Sequence, residues 1–577
     1  MPCYSNVVSG KIWYSNYRYK IINFFDIAII KILKMNNLIR KNIYDNIVQY
    51  NVIICIILSL GTALRLFHYF YNRSLWMDEI YLCSSFSHLG YADLATKILD
   101  YDQKAPIGFL WLVKLSVNLF GYHEMSLRLI PLIAGITAMF IFVRVVRYFL
   151  QPWARVLAIS IFAFSPALIY HSVEIKQYSM ECLATVVALY LLIRYKDSPL
   201  WKDKICWGIL GAVTLWFSFS VIFILAGIAC GISLNYLIKK NWKLFFISAV
   251  PFLIWLGSFV VNYVLFTYKH ADSGWVVYFF KVYDNFMPFP PRSIQQLKWF
   301  SRNFYDLMDY PLGMILNYKD FTSSPLVKIL SIPLVAIAFL LSGIYAFYRR
   351  DKTDFYVLIF PILLMLVASG LYLYPLLERF WIFVAPIFIL FIAAGFQYFQ
   401  EKIKSDKVVW VLFIIVFAIP VFQSVYFVVQ PDRFYKHKKS FEKEALSYVD
   451  SNFRNGDVVY NYWNNAPGYK VYKNIFQFKY DAIQGQDWRK LSLNLKDYNE
   501  KLKVDFNGFT GKKRVWLIYN TQFLTDIGDL IDDPRWYYKT NITPVDNLVL
   551  QFNKLGKPVQ KLINKDVTVY LFELNTP

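Results

Sequence analysis

A chain of 577 residues that is 57% hydrophobic, 19% aromatic and only 17% charged is too apolar for an ordinary soluble protein. The net charge of +22 does not point to nucleic acid, because the Lys and Arg residues fall in short loops between apolar runs rather than on one basic face. Six scattered cysteines, with no CxxC pair and none beyond residue 430, indicate neither a zinc knuckle nor a disulfide framework.

Residues 1–49 read as a cytoplasmic N-terminal segment. The first 34 have neither periodicity nor targeting character, and nothing there reads as a cleaved secretory signal. Met35 opens the basic lead-in MNNLIRKN, and translation is expected to begin effectively there. Residues 50–430 read as a transmembrane module. A hydrocarbon core about 30 Å thick takes roughly 20 apolar residues per crossing, and the first such run is Tyr50 to Phe70, behind Lys31, Lys34, Arg40 and Lys41.

Later spans are expected near Leu127 to Phe149, Trp153 to Ile169 and up to Arg194. A hairpin from Ile205 to Leu237 and a span from Leu244 to Leu265 come next. One span ends at Phe347, and Phe355 to Tyr374, Phe380 to Phe396 and a last run to Val429 complete the set. The basic clusters at Arg144/Arg147, Arg194 to Lys204, Lys239 to Lys243, Arg349/Arg350 and Lys402 to Lys407 then all fall on one side, as the positive-inside rule requires. The resulting expectation is about eleven transmembrane helices, N-terminus in and C-terminus out, with outer loops at 71–126 and 268–324. Beyond residue 430 the composition turns mixed. Phe441 to Phe453 reads as helix, and Asp457 to Tyr462, Arg514 to Asn520 and Val567 to Leu574 read as strands of a small extracytoplasmic α/β domain over 431–577.

The outer loop 71–126 carries the sharpest signal, WMDEIY at Trp76 to Tyr81. Two adjacent carboxylates suit a solvated loop equally well, but the loop also holds Ala105 to Phe120, an apolar-rich stretch suited to a helix lying in the membrane interface, with Lys104 beside it. That combination can meet a lipid phosphate. In order, WMDEIY, DQKAPIGFLWLVKLSVNLFG, the Arg128-led span, SPALIYHSVEIKQYSME and ERFWIFVAPIFILFIAAG resemble the bacterial relatives of protein O-mannosyltransferases and of lipid A aminoarabinose transferase, membrane-embedded type C (GT-C) glycosyltransferases. The resemblance covers roughly Tyr50 to Gly395, and Lys176-Gln177-Tyr178 departs from it where relatives often carry Arg, or Ala and Pro, before the Tyr.

The resemblance implies an inverting glycosyltransferase in the bacterial inner membrane. It implies a polyprenyl-phosphate sugar donor and an envelope glycan, lipid or protein hydroxyl as acceptor. It matches Asp78 to the catalytic base, Glu79 to a second acid, and Glu174 to a further acidic position. Transfer from a glycosyl phosphate expels a good leaving group, so one carboxylate base is enough, with cations to receive the phosphate. Lys104 and Arg379 are the candidates, although Arg379 also suits a topological anchor. Tyr178 and Trp275 are expected to line the substrate, Trp275 as part of an aromatic cover that an interfacial belt would equally explain. No cofactor is required by this chemistry. A divalent metal is compatible with Asp78, His171 and Glu174 as mixed ligands, against which stands a plain hydrated loop around His171. The competing functions are a polyprenyl-linked glycan transporter or flippase, which would place paired charges inside spans, and a non-catalytic scaffold, which would leave WMDEIY unexplained.

Overall fold

The computed structural model describes residues 37–268, 274–316, 333–436, 440–522, 534–538 and 544–575. Met35, the Asn541 triplet and the side chain of Trp275 lie outside the described residues. The chain divides into two compact units, 1–57 and 58–577, and the second holds both the stretch 71–126 and the C-terminal sheet. Each of the stretches read as spans contains helix. Eight described helices are long and apolar enough to cross a bilayer, making this a multi-pass membrane protein. Pro152–Phe164, Trp201–Thr214 and Leu334–Arg350 are shorter.

Local chemistry explains the breaks and close crossings. Pro166 follows Ser165 and starts a new short helix, Pro166–His171, because a proline cannot continue the preceding hydrogen-bond ladder. The carbonyls of Phe162 and Ala163 freed there accept from the buried Arg65 guanidinium, at 3.3 and 3.0 Å. Leu334–Arg350 and Ala385–Lys402 cross with Gly343 against Phe391 O and Gly395 against Phe339 O, so close that a Cβ on either glycine would collide with the neighbouring backbone.

Charged residues gather the helix ends into two groups. At one end Lys196 Nζ meets Asp354 at 2.9 Å, Arg350 Nη1 donates to Phe149 O and Gln397 Oε1 accepts from Gln151 N. At the other, Asn72 donates to Glu124, Tyr71 donates to Asp432, and Lys443 Nζ lies 3.0 Å from Glu124.

The C-terminal part forms a five-stranded mixed sheet in the order β2-β1-β3-β5-β4, from Val458–Asn461 (β1), Ala482–Gln484 (β2), Arg514–Asn520 (β3), Gly556–Ile563 (β4) and Val567–Leu574 (β5). β1 runs parallel to β2 and β3, whereas β5 is antiparallel to β3 and β4. Successive side chains alternate between faces. Tyr460, Leu517 and Phe572 therefore pack under Leu502, Leu548 and Phe552, while Val459, Trp516 and Leu571 join a core that also holds Leu75, Ile80 and Phe86. The domain thus shares one apolar core with the helix Met77–His88, and Tyr472 locks the joint by accepting from Leu75 N at 2.7 Å and donating to Glu124 at 3.2 Å.

That helix is fixed by a buried ion cluster. Glu79 is wholly enclosed, with Arg128 (1% exposed) and Arg73 (7%) around it. Its carboxylate accepts from Arg128 Nη2 at 3.0 Å on both oxygens, from Arg128 Nε at 3.1 Å and from Arg73 Nη1 at 2.7 Å. The backbone N–H groups of Trp76 and Ile175 complete the set at 3.2 and 3.0 Å. One carboxylate thereby ties the end of the first span, the helix Met77–His88, the second span and the 171–177 loop. Removing one partner of a buried ion pair typically costs about 3–5 kcal/mol. Glu79→Gln, which strands two buried guanidinium groups, is expected to lower the unfolding temperature in detergent markedly. An unchanged unfolding curve would show that the cluster does not hold the loop.

Candidate functional site

WMDEIY forms the N-terminal turn of Met77–His88, preceded by Trp76 as its cap residue. Carboxylates are favoured there by the helix dipole. On a helix, neighbours i and i+1 point about 100° apart, and the two acids diverge accordingly. Glu79 turns inward to the arginines, while Asp78 stays 27% exposed and meets Arg379, Nη1 to Oδ2, at 2.7 Å. Arg379 sits in the 3₁₀ segment Glu378–Val384 and lies 5.8 Å from the ring centre of Trp76. Its Nε is buried and has no hydrogen-bond partner among the described residues, so within them this guanidinium holds Asp78 with one edge and keeps a further donor.

The 171–177 loop closes over Asp78 from another side. Trp76 Nε1 donates to Glu174 Oε1 at 2.8 Å, and Glu174 Oε2 lies 2.6 Å from His171 Nδ1. The other imidazole nitrogen is bonded to the Tyr310 hydroxyl. Tyr178 packs its ring on His171 and on Phe380, at 4.9 and 6.1 Å between centres. Asp78, Glu174, Arg379 and Tyr178 are thus neighbours, and Glu79 lies directly behind them.

The metal set expected from Asp78, His171 and Glu174 is not assembled. His171 and Glu174 are together, but Asp78 is engaged by Arg379 and both nitrogens of His171 are already bonded. Among the described residues no group of three or more His, Cys, Asp and Glu side chains is placed to hold a metal ion. As arranged, these residues do not fit one.

Lys104 is half-buried at the entry of the helix Ile107–Phe120. Burial pushes its ammonium below the usual lysine range, partly offset by Asp102. That helix exposes Trp111, Leu115 and Leu119 along one side, which suits the interfacial position expected of it. A cation the sequence reading passed over lies nearer the acids. Lys176 is buried (7% exposed), its Nζ donates to Gln103 Oε1 at 2.5 Å, and Asp78, Arg379 and Glu174 all act on its charge. Burial lowers its pKa and the two carboxylates oppose that shift. The deviant Lys176-Gln177-Tyr178 triplet was the available signal. Arg73 and Arg128, the partners of Glu79, were signalled only by being arginines at the ends of apolar runs.

Residues 104–266 match the family model described as dolichyl-phosphate-mannose-protein mannosyltransferase. No curated protein matches the sequence. Among solved structures, ArnT from Cupriavidus metallidurans bound to undecaprenyl phosphate is similar with a TM-score of 0.51 at 10% identity, over 91% of this chain and 97% of that one. Its apo form gives 0.49 at 11% identity, over 89% and 97%. The Archaeoglobus fulgidus oligosaccharyltransferase in complex with Zn and sulfate gives 0.47 at 15% identity, over 90% of this chain and 72% of that one. The chain is thus similar in fold to ArnT, and its segment 104–266 matches the mannosyltransferase family model.

Proposed function

We propose that the protein transfers a sugar from a polyprenyl-phosphate donor to an acceptor hydroxyl at the extracytoplasmic face of the bacterial inner membrane, with inversion at the anomeric carbon. The observation that carries this reading is the Asp78–Arg379 pair, a partly exposed carboxylate and a guanidinium 2.7 Å apart. The undecaprenyl phosphate bound to ArnT, a protein of the same fold, supports the donor class.

In this reading the donor phosphate competes with Asp78 for Arg379, a geometry in which guanidinium groups bind phosphate through paired hydrogen bonds. Lys176 adds charge beside it, and Lys104 guards the entrance from the interface. Asp78, released toward the acceptor, takes the hydroxyl proton as the acceptor oxygen attacks the anomeric carbon. The bond from that carbon to the phosphate oxygen breaks, and polyprenyl phosphate leaves with the new negative charge against Arg379. Glu79 acts as a positioning residue, holding the helix so that Asp78 faces the reacting carbon. Glu174 orients Trp76 and His171, and Tyr178 walls the site.

Sidedness rests on charge and contact together. The loops expected outside share hydrogen bonds at one end of the helices, and the basic loops expected inside meet at the other. On a background freed of its own cysteines, Asn455→Cys is expected to react with an impermeant maleimide in intact spheroplasts. Reaction only after the inner membrane is broken would reverse the assignment.

Asp78→Asn keeps shape but loses the base, and general-base loss typically costs on the order of a hundred- to ten-thousand-fold in rate. Transfer from a purified polyprenyl-phosphate sugar in nanodiscs is expected to fall accordingly, with donor binding retained. Full transfer by this variant would remove Asp78 from the mechanism.

Charge-assisted hydrogen bonds are worth about 1.5–3 kcal/mol, so Arg379→Gln and Lys176→Gln are each expected to raise the donor concentration for half-maximal rate by roughly ten- to a hundred-fold. Lys104→Ala is expected to act in the same direction. A donor dependence unchanged by any one substitution excludes that residue from the phosphate site.

A further inference from the structure

Beside the proposed catalytic pair lies a cleft of about 370 Å3, inside the roughly 300–1,000 Å3 range of small-molecule sites. One wall is the helix Ile294–Asp309, which presents Gln295, Trp299, Arg302 and Asp306 to it. Their spacing of four, three and four residues is one stripe of a helix. The inner wall is Tyr310 and Glu378. Tyr310 is bonded to His171, and Glu378 immediately precedes Arg379, the partner of Asp78, so the cleft adjoins the proposed site through these two residues.

The chemistry of the lining is specific. Trp299 is held as a fixed platform, its Nε1 donating to Asp284 O at 2.8 Å, and the tip Tyr283-Asp284-Asn285 continues the wall beside it. Flat rings offer their electron-rich faces to polarised C–H groups. Amides such as Asn285 and Asn303 serve hydroxyl groups as acceptors and donors, and a carboxylate such as Asp306 serves them as an acceptor. Arg302 lies 3.7 Å from Asp306, so the lining is not a net cationic anion trap. Nor is it the long apolar channel that a lipid tail would need.

Three residues that lie near the lining in sequence are apolar and exposed. Phe289, Ile294 and Leu373 are each about three-quarters exposed (74%, 74% and 75%), and Gly370, at the start of the 371–373 turn, approaches Phe289. Such tips beside a polar cleft suit a mouth resting at headgroup level.

We infer that this cleft is the acceptor site and that the acceptor it takes is a saccharide. The inference deepens the proposed transfer reaction and rests on it for the word acceptor. Saccharide binding itself needs no donor and no base. An acceptor sugar lying on Trp299 directs a hydroxyl past Glu378 toward Asp78.

The test is saturation-transfer NMR on the full protein in nanodiscs without donor. The probes are soluble tetrasaccharides of hexose, N-acetylhexosamine and pentose, beside Ser/Thr-containing peptides. At least one saccharide is expected to bind, with affinity at least tenfold weaker in Trp299→Ala and also weaker in Asn303→Ala, a second substitution on the exposed helix that guards against misfolding of the first. A glycolipid placed in the disc that competes away the soluble saccharide supports the site equally and identifies a lipid headgroup as the source. No saccharide binding, binding unaffected by both substitutions, or peptide binding that depends on Trp299 would each overturn the inference. Failure of the transfer reading is seen separately, as full transfer by Asp78→Asn with saccharide binding intact.

Discussion

The enclosed Glu79 carboxylate is the constraint on which the site depends. A charge withdrawn from water is tolerated only when surrounded by donors, and Arg73, Arg128 and two backbone N–H groups supply them. Satisfying that one group dictates where the first span ends, how the Met77–His88 helix is rotated and where the 171–177 loop passes. Because neighbouring helical residues diverge, burying Glu79 is what leaves Asp78 on the open side against Arg379. The two carboxylates of WMDEIY are one device: the inner one sets geometry, and the outer one is left partly exposed against Arg379, where the proposed reaction puts its base.

The C-terminal domain belongs to the same arrangement. Tyr472 bonds Leu75 and Glu124 across the joint, and one apolar core runs from the sheet face of Val459, Trp516 and Leu571 to Leu75, Ile80 and Phe86. A loop helix at a membrane surface has few neighbours of its own, and the sheet supplies the apolar backing that it lacks. Next to this joint lies a second enclosed acid. Glu442, bonded by Asn465 Nδ2 at 2.8 Å, is pushed well above the usual carboxylate range by burial and then by Asp566, and its neighbour Lys443 reaches Glu124 and Asn72 O. With its folded pKa raised, Glu442 costs stability where it must ionise, and this segment is therefore held more firmly as pH falls through that raised pKa toward the ordinary carboxylate range.

Much of this was legible in the sequence, for physical reasons that also explain the gaps. Apolar length and basic loops locate helices because the bilayer imposes both, and every stretch read as a span contains helix; the short Trp201–Thr214 was read as half a hairpin because the same composition signals depth without fixing length. β1, β3 and β5 stood out as β-branched and aromatic runs. β2 has only three residues, and β4 is an edge strand whose Pro558 and alternating lysines disguise it. At the site, WMDEIY and Arg379 were visible as charges at span ends, but their pairing across 301 positions leaves no local trace. The three-residue spacing of His171 and Glu174 left open a metal site shared with Asp78, whereas tertiary packing gave Asp78 a guanidinium and His171 a tyrosine.

The central claim is that one carboxylate and one guanidinium suffice for a direct displacement at the anomeric carbon, with no covalent glycosyl-enzyme between donor and product. The stereochemistry of the product tests that most directly. NMR of the first glycoside formed from a donor of defined anomeric configuration is predicted to show the opposite configuration. Retention would require two displacements and a nucleophilic residue, and would contradict the account.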